Sequence, residues 1–246
     1  MSQPRKAITL IGMSGAGKSY LAAKMARWGW VNYSCDELIG TKYLKGELSG
    51  VPADDPMQLL SAFVGKIGNP AKGGLGTEEF RRRQKLYYDA EAEALRDTAE
   101  AIKSAHGQGR HFVNDSSGSL CEIEDEKLLA EVGKNTLFVY LKIGQNAHET
   151  LLNRAFTNPK PLYFPVPFFK ERVQSYMQQF EMNAVEDIDP DEFLRWVFPY
   201  LFESRLPKYK ALAEKYGVSI SVSDIADVES EQDFLNVVAG ALGKSL

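Results

Sequence analysis

Apolar and polar positions along the chain repeat in two periods. Ala7–Ile11 is a short apolar run closed by the glycine-rich stretch 12–17, and reads as a buried strand. Across Lys18–Arg27 the apolar residues Leu21, Ala22 and Met25 recur at helical spacing. Gly29 ends that helix, residues 30–33 read as a second strand, and 36–43 return to a helical pattern. Residues 111–114, 137–141 and 218–222 read as strands three, four and five, each preceded by a helical segment. This β-α-β-α order predicts a parallel sheet with helices on both faces.

Two stretches interrupt the alternation. Residues 46–76 are rich in Gly, Pro, Asp and Asn, with one short apolar helix near 57–63. Thr77 followed by Glu78 and Glu79 is a helix start, acids lying against the positive end of the dipole. That helix is expected to run to about Ser104, ahead of Gly107 and Gly109. Residues 151–216 are aromatic-rich, with Phe169, Val173, Tyr176, Met177 and Phe180 on one helical face. Asp189-Pro190-Asp191-Glu192 starts a further helix, which Pro199 is expected to kink or split. At this density Tyr163, Phe164, Phe168, Phe169, Trp196 and Phe198 are most simply a helical core. The expected organisation is one domain over 1–246, with 44–76 an irregular substrate-side segment and 151–216 an extended helical lid or insertion.

Composition narrows the class. A chain of 246 residues, 44% hydrophobic and 25% charged, has room for one α/β domain with an insertion or for two small domains. The net charge of −4 argues against nucleic acid as a partner. Cys35 and Cys121 are far apart and lack partner motifs, which speaks against a disulfide framework or a zinc site. No signal-like segment and no apolar run of the ~20 residues that span a bilayer is seen, so a cytoplasmic, non-membrane protein is expected.

The chemistry starts at Gly12-Met13-Ser14-Gly15-Ala16-Gly17-Lys18-Ser19, which fits G-x-x-x-x-G-K-[ST] at every fixed position and lies between a strand and a helix. Glycines let successive backbone N–H groups turn toward phosphates, and the helix N-terminus adds its partial positive charge. The motif implies ATP with Mg2+ over residues 12–20, Tyr20 included, with Lys18 on the β- and γ-phosphates and Ser19 on the metal. An accidental glycine turn is the bland alternative. Ligands of open α/β sheets sit beyond the carboxyl ends of the strands. There the chain carries Ser34-Cys35-Asp36-Glu37 after strand two and Asp115-Ser116-Ser117-Gly118-Ser119 after strand three. Asp115 is placed as a second metal-holding group, or as a turn-forming Asp.

These segments, with Phe80-Arg81, Arg154, Lys160-Pro161-Leu162 and Arg205-Leu206-Pro207-Lys208-Tyr209, resemble in residue type and order the shikimate kinase group of P-loop kinases. The resemblance implies a three-layer P-loop fold and transfer of the γ-phosphoryl group to a hydroxyl of a small-molecule acceptor. It implies that Asp36 holds the acceptor hydroxyl and helps remove its proton. It also implies that Arg81, Ser117, Gly118, Lys160 and Arg205 bind the acceptor or close over the site, and that Arg154 neutralises charge on the transferring group. Each has a plainer reading: a helix N-cap for Asp36, a solvated face for residues 81–83, surface ion pairs for Arg154, and a pairing with Glu203 or another acid on its helix for Arg205. The sequence departs from the family at Ser34, where an acid is usual, at Ser116-Ser117 in place of glycines, at Lys160 in place of arginine, and in the length of 156–200. A second reading is an ATP-binding or slow ATPase module whose aromatic insertion meets a partner.

Overall fold

The structure, a computed structural model, describes residues 5–49 and 56–243. Part of the irregular segment expected over 44–76, residues 50–55, lies outside the described residues. The chain divides into two compact units. The first comprises Met1–Asp36, Glu91–His148 and Arg205–Leu246, and the second Glu37–Ala90 and Glu149–Ser204.

The first unit is built on five parallel strands, β1 (Ala7–Ile11), β2 (Val31–Ser34), β3 (Phe112–Asp115), β4 (Leu137–Lys142) and β5 (Gly217–Ser221), in the order β2-β3-β1-β4-β5. Successive side chains of a strand point to opposite faces, and the two faces are covered differently. Ile8, Leu10, Val113, Val139, Leu141, Val218 and Ile220 pack on one side against α1 (Lys18–Arg27) and the C-terminal helix Glu231–Gly243 through Leu21, Ala22, Met25, Phe234 and Val238. On the opposite side Phe112 packs with Ile102 and Ala105. There Thr9 is bonded to Thr136 through their hydroxyls at 2.8 Å. The sheet is therefore sandwiched between helices, as the alternation predicts.

After β2 come a single turn, α2 (Cys35–Leu38), a π-helical turn Ile39–Tyr43, α3 (Lys45–Leu48) and α4 (Pro56–Val64). The helix expected over 77–104 is two helices, α5 (Thr77–Arg96) and α6 (Thr98–Gly107), parted at Asp97. Asp97 and Thr98 are residues whose short polar side chains compete for backbone groups. Here the Thr98 hydroxyl donates to the Leu95 carbonyl at 2.7 Å, where the chain is redirected. Helix α7 (Glu126–Asn135) then leads into β4, and its N-cap Asp125 accepts from the Lys127 and Leu128 amides.

The second unit has its own aromatic core. Phe80 on α5 packs with Phe164, with Phe169, Val173 and Tyr176 of α9 (Val166–Gln179), and with Ile188, Phe193, Leu194, Val197 and Leu201. Helix α8 (Gln145–Thr157) precedes α9, and Gln84 fixes the connection by donating to Leu162 O and accepting from Phe164 N. Phe180, expected on the buried face of α9, instead follows its last turn and is exposed. Helix α10 (Pro190–Tyr216) is one continuous element, so Pro199 does not split it. Pro199 lies on an exposed position between Val197 and Leu201, both fully buried. Burying that face outweighs the one backbone bond the ring removes. The N-terminus of α10 is capped by Asp189, which accepts from the Asp191 and Glu192 amides.

Candidate functional site

The phosphate-binding candidate is the turn from β1 into α1. Gly12, Gly15 and Gly17 all have positive φ, at 142°, 85° and 93°, a region that side chains disfavour. Ala16 N donates to Met13 O and closes the turn. The first turn of α1 has no acidic residue and no side-chain cap, so its positive end is not neutralised locally. Lys18 is only 6% exposed, and its Nζ donates to Gly12 O at 2.7 Å and Met13 O at 3.1 Å. Burial lowers its pKa, while the negative charges of Asp115 and Asp36 oppose that shift. Ser14, Gly15, Ser19 and Tyr20 are exposed.

The strand register brings the next groups to the same end of the sheet. Asp115 ends β3, in register with Leu10 of β1 on one side and Ser34 of β2 on the other. The Ser19 hydroxyl lies beside the Asp115 carboxyl group. Burial raises the Asp115 pKa, with the nearby Ser19 hydroxyl and the Lys18 charge working the other way. Its Oδ1 is buried without a hydrogen-bond partner. A serine hydroxyl beside a carboxylate that has an unused oxygen is a donor set suited to a hard divalent cation. Among the described residues no group of three or more His, Cys, Asp or Glu is placed to hold a metal by itself. Mg2+ at such a loop takes much of its coordination from phosphate and water. Asp36, half-buried, directly follows Cys35 at the end of β2, and the Cys35 thiol donates to Asn114 Oδ1 at 3.1 Å.

The turn after β3 is held on several sides. The Ser116 hydroxyl donates to Leu10 O at 2.6 Å. Ser117 and Ser119 both donate to the carboxyl group of Glu91, the latter at 2.8 Å. Gly118 O accepts from Arg205 at 3.1 Å and from the Tyr209 hydroxyl. A Cβ on Gly118 would lie 3.0 Å from Ser14 N, so the turn rests closely against the phosphate loop and a larger residue would have to displace it slightly. Arg205, 3% exposed, donates to Glu122 at 3.0 Å, and Lys208 pairs with the same carboxylate. The sequence offers Arg205 an acceptor or an acid on its own helix; the structure pairs it with buried Glu122, beyond β3.

Glu91 and Glu122 were not among the residues that the sequence singled out. Glu91 does fall on the buried stripe of α5 formed by Gln84, Tyr87, Glu91 and Leu95, and a carboxylate on such a stripe is the signal that would have found it. Burial pushes Glu91 up to about 8, helped by the charges of Asp36 and Glu122 and opposed by the Ser119 bond and Arg205.

The first unit thus gathers Lys18, Ser19, Asp36, Asp115, Ser117, Gly118 and Arg205. Arg81, Arg154 and Lys160 belong to the second unit, and all three are exposed. Of the three consecutive arginines, Arg82 pairs with Glu79 and Glu47, and Arg83 with Glu79, whose pKa falls to about 2 through these bonds. Arg81 instead lines an open groove of about 410 Å³ beside Phe169, Val173 and Met177.

A parallel sheet in the order β2-β3-β1-β4-β5, with a glycine-rich loop leaving central β1 for α1 and helices on both faces, has the three-layer P-loop NTPase fold. No protein-family model and no curated protein matches the sequence. Among solved structures the chain is similar to a shikimate kinase from Acinetobacter baumannii in complex with shikimate, at 15% identity and a TM-score of 0.46, covering 99% of this chain and 97% of that one. It is similar also to a shikimate kinase from Bacteroides thetaiotaomicron, at 13% identity and TM-score 0.43 over 97% of both chains. A sugar kinase from Janibacter sp. matches at 13% identity and TM-score 0.31, covering 84% of this chain and 98% of that one. At these values the assignment of the fold rests on strand order and loop, not on the alignments. Among the described residues no helix is long and apolar enough to cross a membrane.

Proposed function

We propose that the chain is an ATP-dependent kinase that transfers the γ-phosphoryl group to a hydroxyl of a small molecule, in the manner of the shikimate kinases it resembles. The observation that carries this is the Lys18–Ser19–Asp115 group. The buried Lys18 side chain is held on loop carbonyls, and near it a serine hydroxyl lies beside a carboxyl group with one orphaned oxygen. Residues 12–20 would hold the nucleotide, and Ser19 with Asp115 would hold Mg2+. When bound, Mg-ATP supplies the phosphoryl donor and the metal's charge neutralisation.

The chain's own groups then have separate tasks. The loop N–H groups and the uncapped end of α1 bind phosphate oxygens, and Lys18 exchanges loop carbonyls for phosphate. The Asp36 carboxylate orients the acceptor hydroxyl and takes its proton as the new P–O bond forms. Ser117 offers backbone rather than its hydroxyl to an acceptor, because the hydroxyl is committed to Glu91. Arg205 is likewise committed to Glu122 and Gly118 O, so the acceptor role suggested for it is taken as holding the turn. Arg81, Arg154 and Lys160 keep the roles implied by the resemblance, acceptor binding for Arg81, and closure over ATP with charge neutralisation for Arg154 and Lys160.

The test is ADP release from Mg-ATP with a panel of polyols, sugars and cyclic hydroxy acids, shikimate included. An acceptor-dependent rate that falls at least a hundredfold in Asp36→Ala is expected. Release that is independent of every acceptor and unchanged by Asp36→Ala would support the slow-ATPase alternative instead.

A further inference from the structure

Resting on the nucleotide-site reading above, we propose that Glu91 is a positioning residue for the phosphate loop, acting through the turn 116–119. The chain of contacts is short and lies within the first unit. Glu91 is 1% exposed and receives hydrogen bonds from Ser117 and Ser119, which flank Gly118. The Ser119 amide also donates to the Ser117 hydroxyl, at 3.3 Å, so both serines are fixed in one arrangement. On the other side of the turn Gly118 O is gripped by Arg205 and Tyr209. Gly118 is thereby pressed on Ser14, close enough that its missing Cβ would approach Ser14 N and Cβ at 3.0 and 3.2 Å.

Ser14 is exposed in a loop whose glycines by themselves would let it adopt many conformations. Binding phosphate with backbone N–H groups requires one of those conformations, and holding it in advance removes an ordering cost from binding. Glu91 does this through the turn, its hydrogen bonds going to Ser117 and Ser119 rather than to Ser19 or Asp115. Its carboxyl group is matched to the task, because two oxygens reach two hydroxyls two residues apart. A buried carboxyl that met only apolar groups would cost stability with nothing in return.

The experiment compares wild type with Glu91→Gln, Glu91→Ala and the double variant Ser117→Ala/Ser119→Ala. Two readouts are used, calorimetric titration with Mg-ADP and amide hydrogen exchange of the ligand-free proteins. Glu91→Ala is expected to weaken Mg-ADP at least tenfold and to speed exchange in both 12–18 and 116–119. Glu91→Gln, which retains a carbonyl acceptor and a donor, should stay within about threefold of wild type. The serine double variant should reproduce Glu91→Ala, and it decides the matter if Glu91→Ala does not fold. Faster exchange confined to 116–119, with Mg-ADP affinity within twofold of wild type, overturns the proposal. If wild type itself binds no Mg-ADP, the nucleotide reading falls. The exchange of 12–18 in Glu91→Ala and in the serine double variant then decides by itself whether Glu91 positions the loop.

Discussion

Burial lowers the Lys18 pKa and the charges of Asp115 and Asp36 oppose that shift, while Nζ donates to two loop carbonyls. Lys18→Met removes that donor while keeping most of the bulk, so the expected result is loss of phosphate affinity with the fold intact, seen as unchanged circular dichroism. Glu91 presents the opposite problem, a carboxyl group whose folded pKa is raised to about 8. The unfolded chain gives up this proton near pH 4.3 while the folded chain retains it to about 8. Stability from this group is therefore full below about pH 4.3 and declines as pH rises toward about 8. Urea unfolding at pH 6 and pH 8 should show Glu91→Gln gaining about 1 to 3 kcal/mol on wild type between the two. A difference that does not change with pH would mean that Glu91 is ionised throughout.

At the scale of elements, the strands and the loop were legible because their signals are local. The apolar runs 7–11, 137–141 and 218–222 fall within a residue of the observed strands, and the glycine-Lys-Ser turn sits at a strand–helix junction. What was not legible depends on partners distant in sequence. The hold of Glu91 on Ser117 and Ser119 spans 26 and 28 residues, and Arg205 meets Glu122 across 83. No periodicity in one segment announces such pairings. That Pro199 does not split α10 has a related reason, since the packing that sustains the helix comes from Phe164, Phe169 and Tyr176 on other elements. The helix-to-strand junction at Gly217 has no loop at all, and a Cβ there would fall 1.8 Å from Phe138 O in the neighbouring strand. Gly217→Ala must therefore push β4 and β5 apart, with an expected cost of about 2 to 4 kcal/mol in chemical denaturation. A cost under about 0.5 kcal/mol would show that the junction relaxes freely.

For the whole molecule, the two units have separate cores, an aliphatic one on the sheet and an aromatic one on α9 and α10. The candidate phosphate and metal groups all come from the first unit. A ligand that binds only folded protein raises its stability by mass action, about 2.7 kcal/mol at a hundredfold excess over Kd. Mg-ADP should accordingly raise the melting temperature, and hydrogen exchange should place the added protection at 12–19 and 113–119. Protection confined to the aromatic unit would move the nucleotide site away from the loop.

The central claim is that residues 12–19 bind nucleotide phosphates. Calorimetric titration of Mg-ATP into wild type and Lys18→Ala tests it most directly. A saturable one-site isotherm for wild type, weakened at least tenfold in the variant, is the predicted result. Equal affinity in the two proteins, or no binding by wild type, would contradict it.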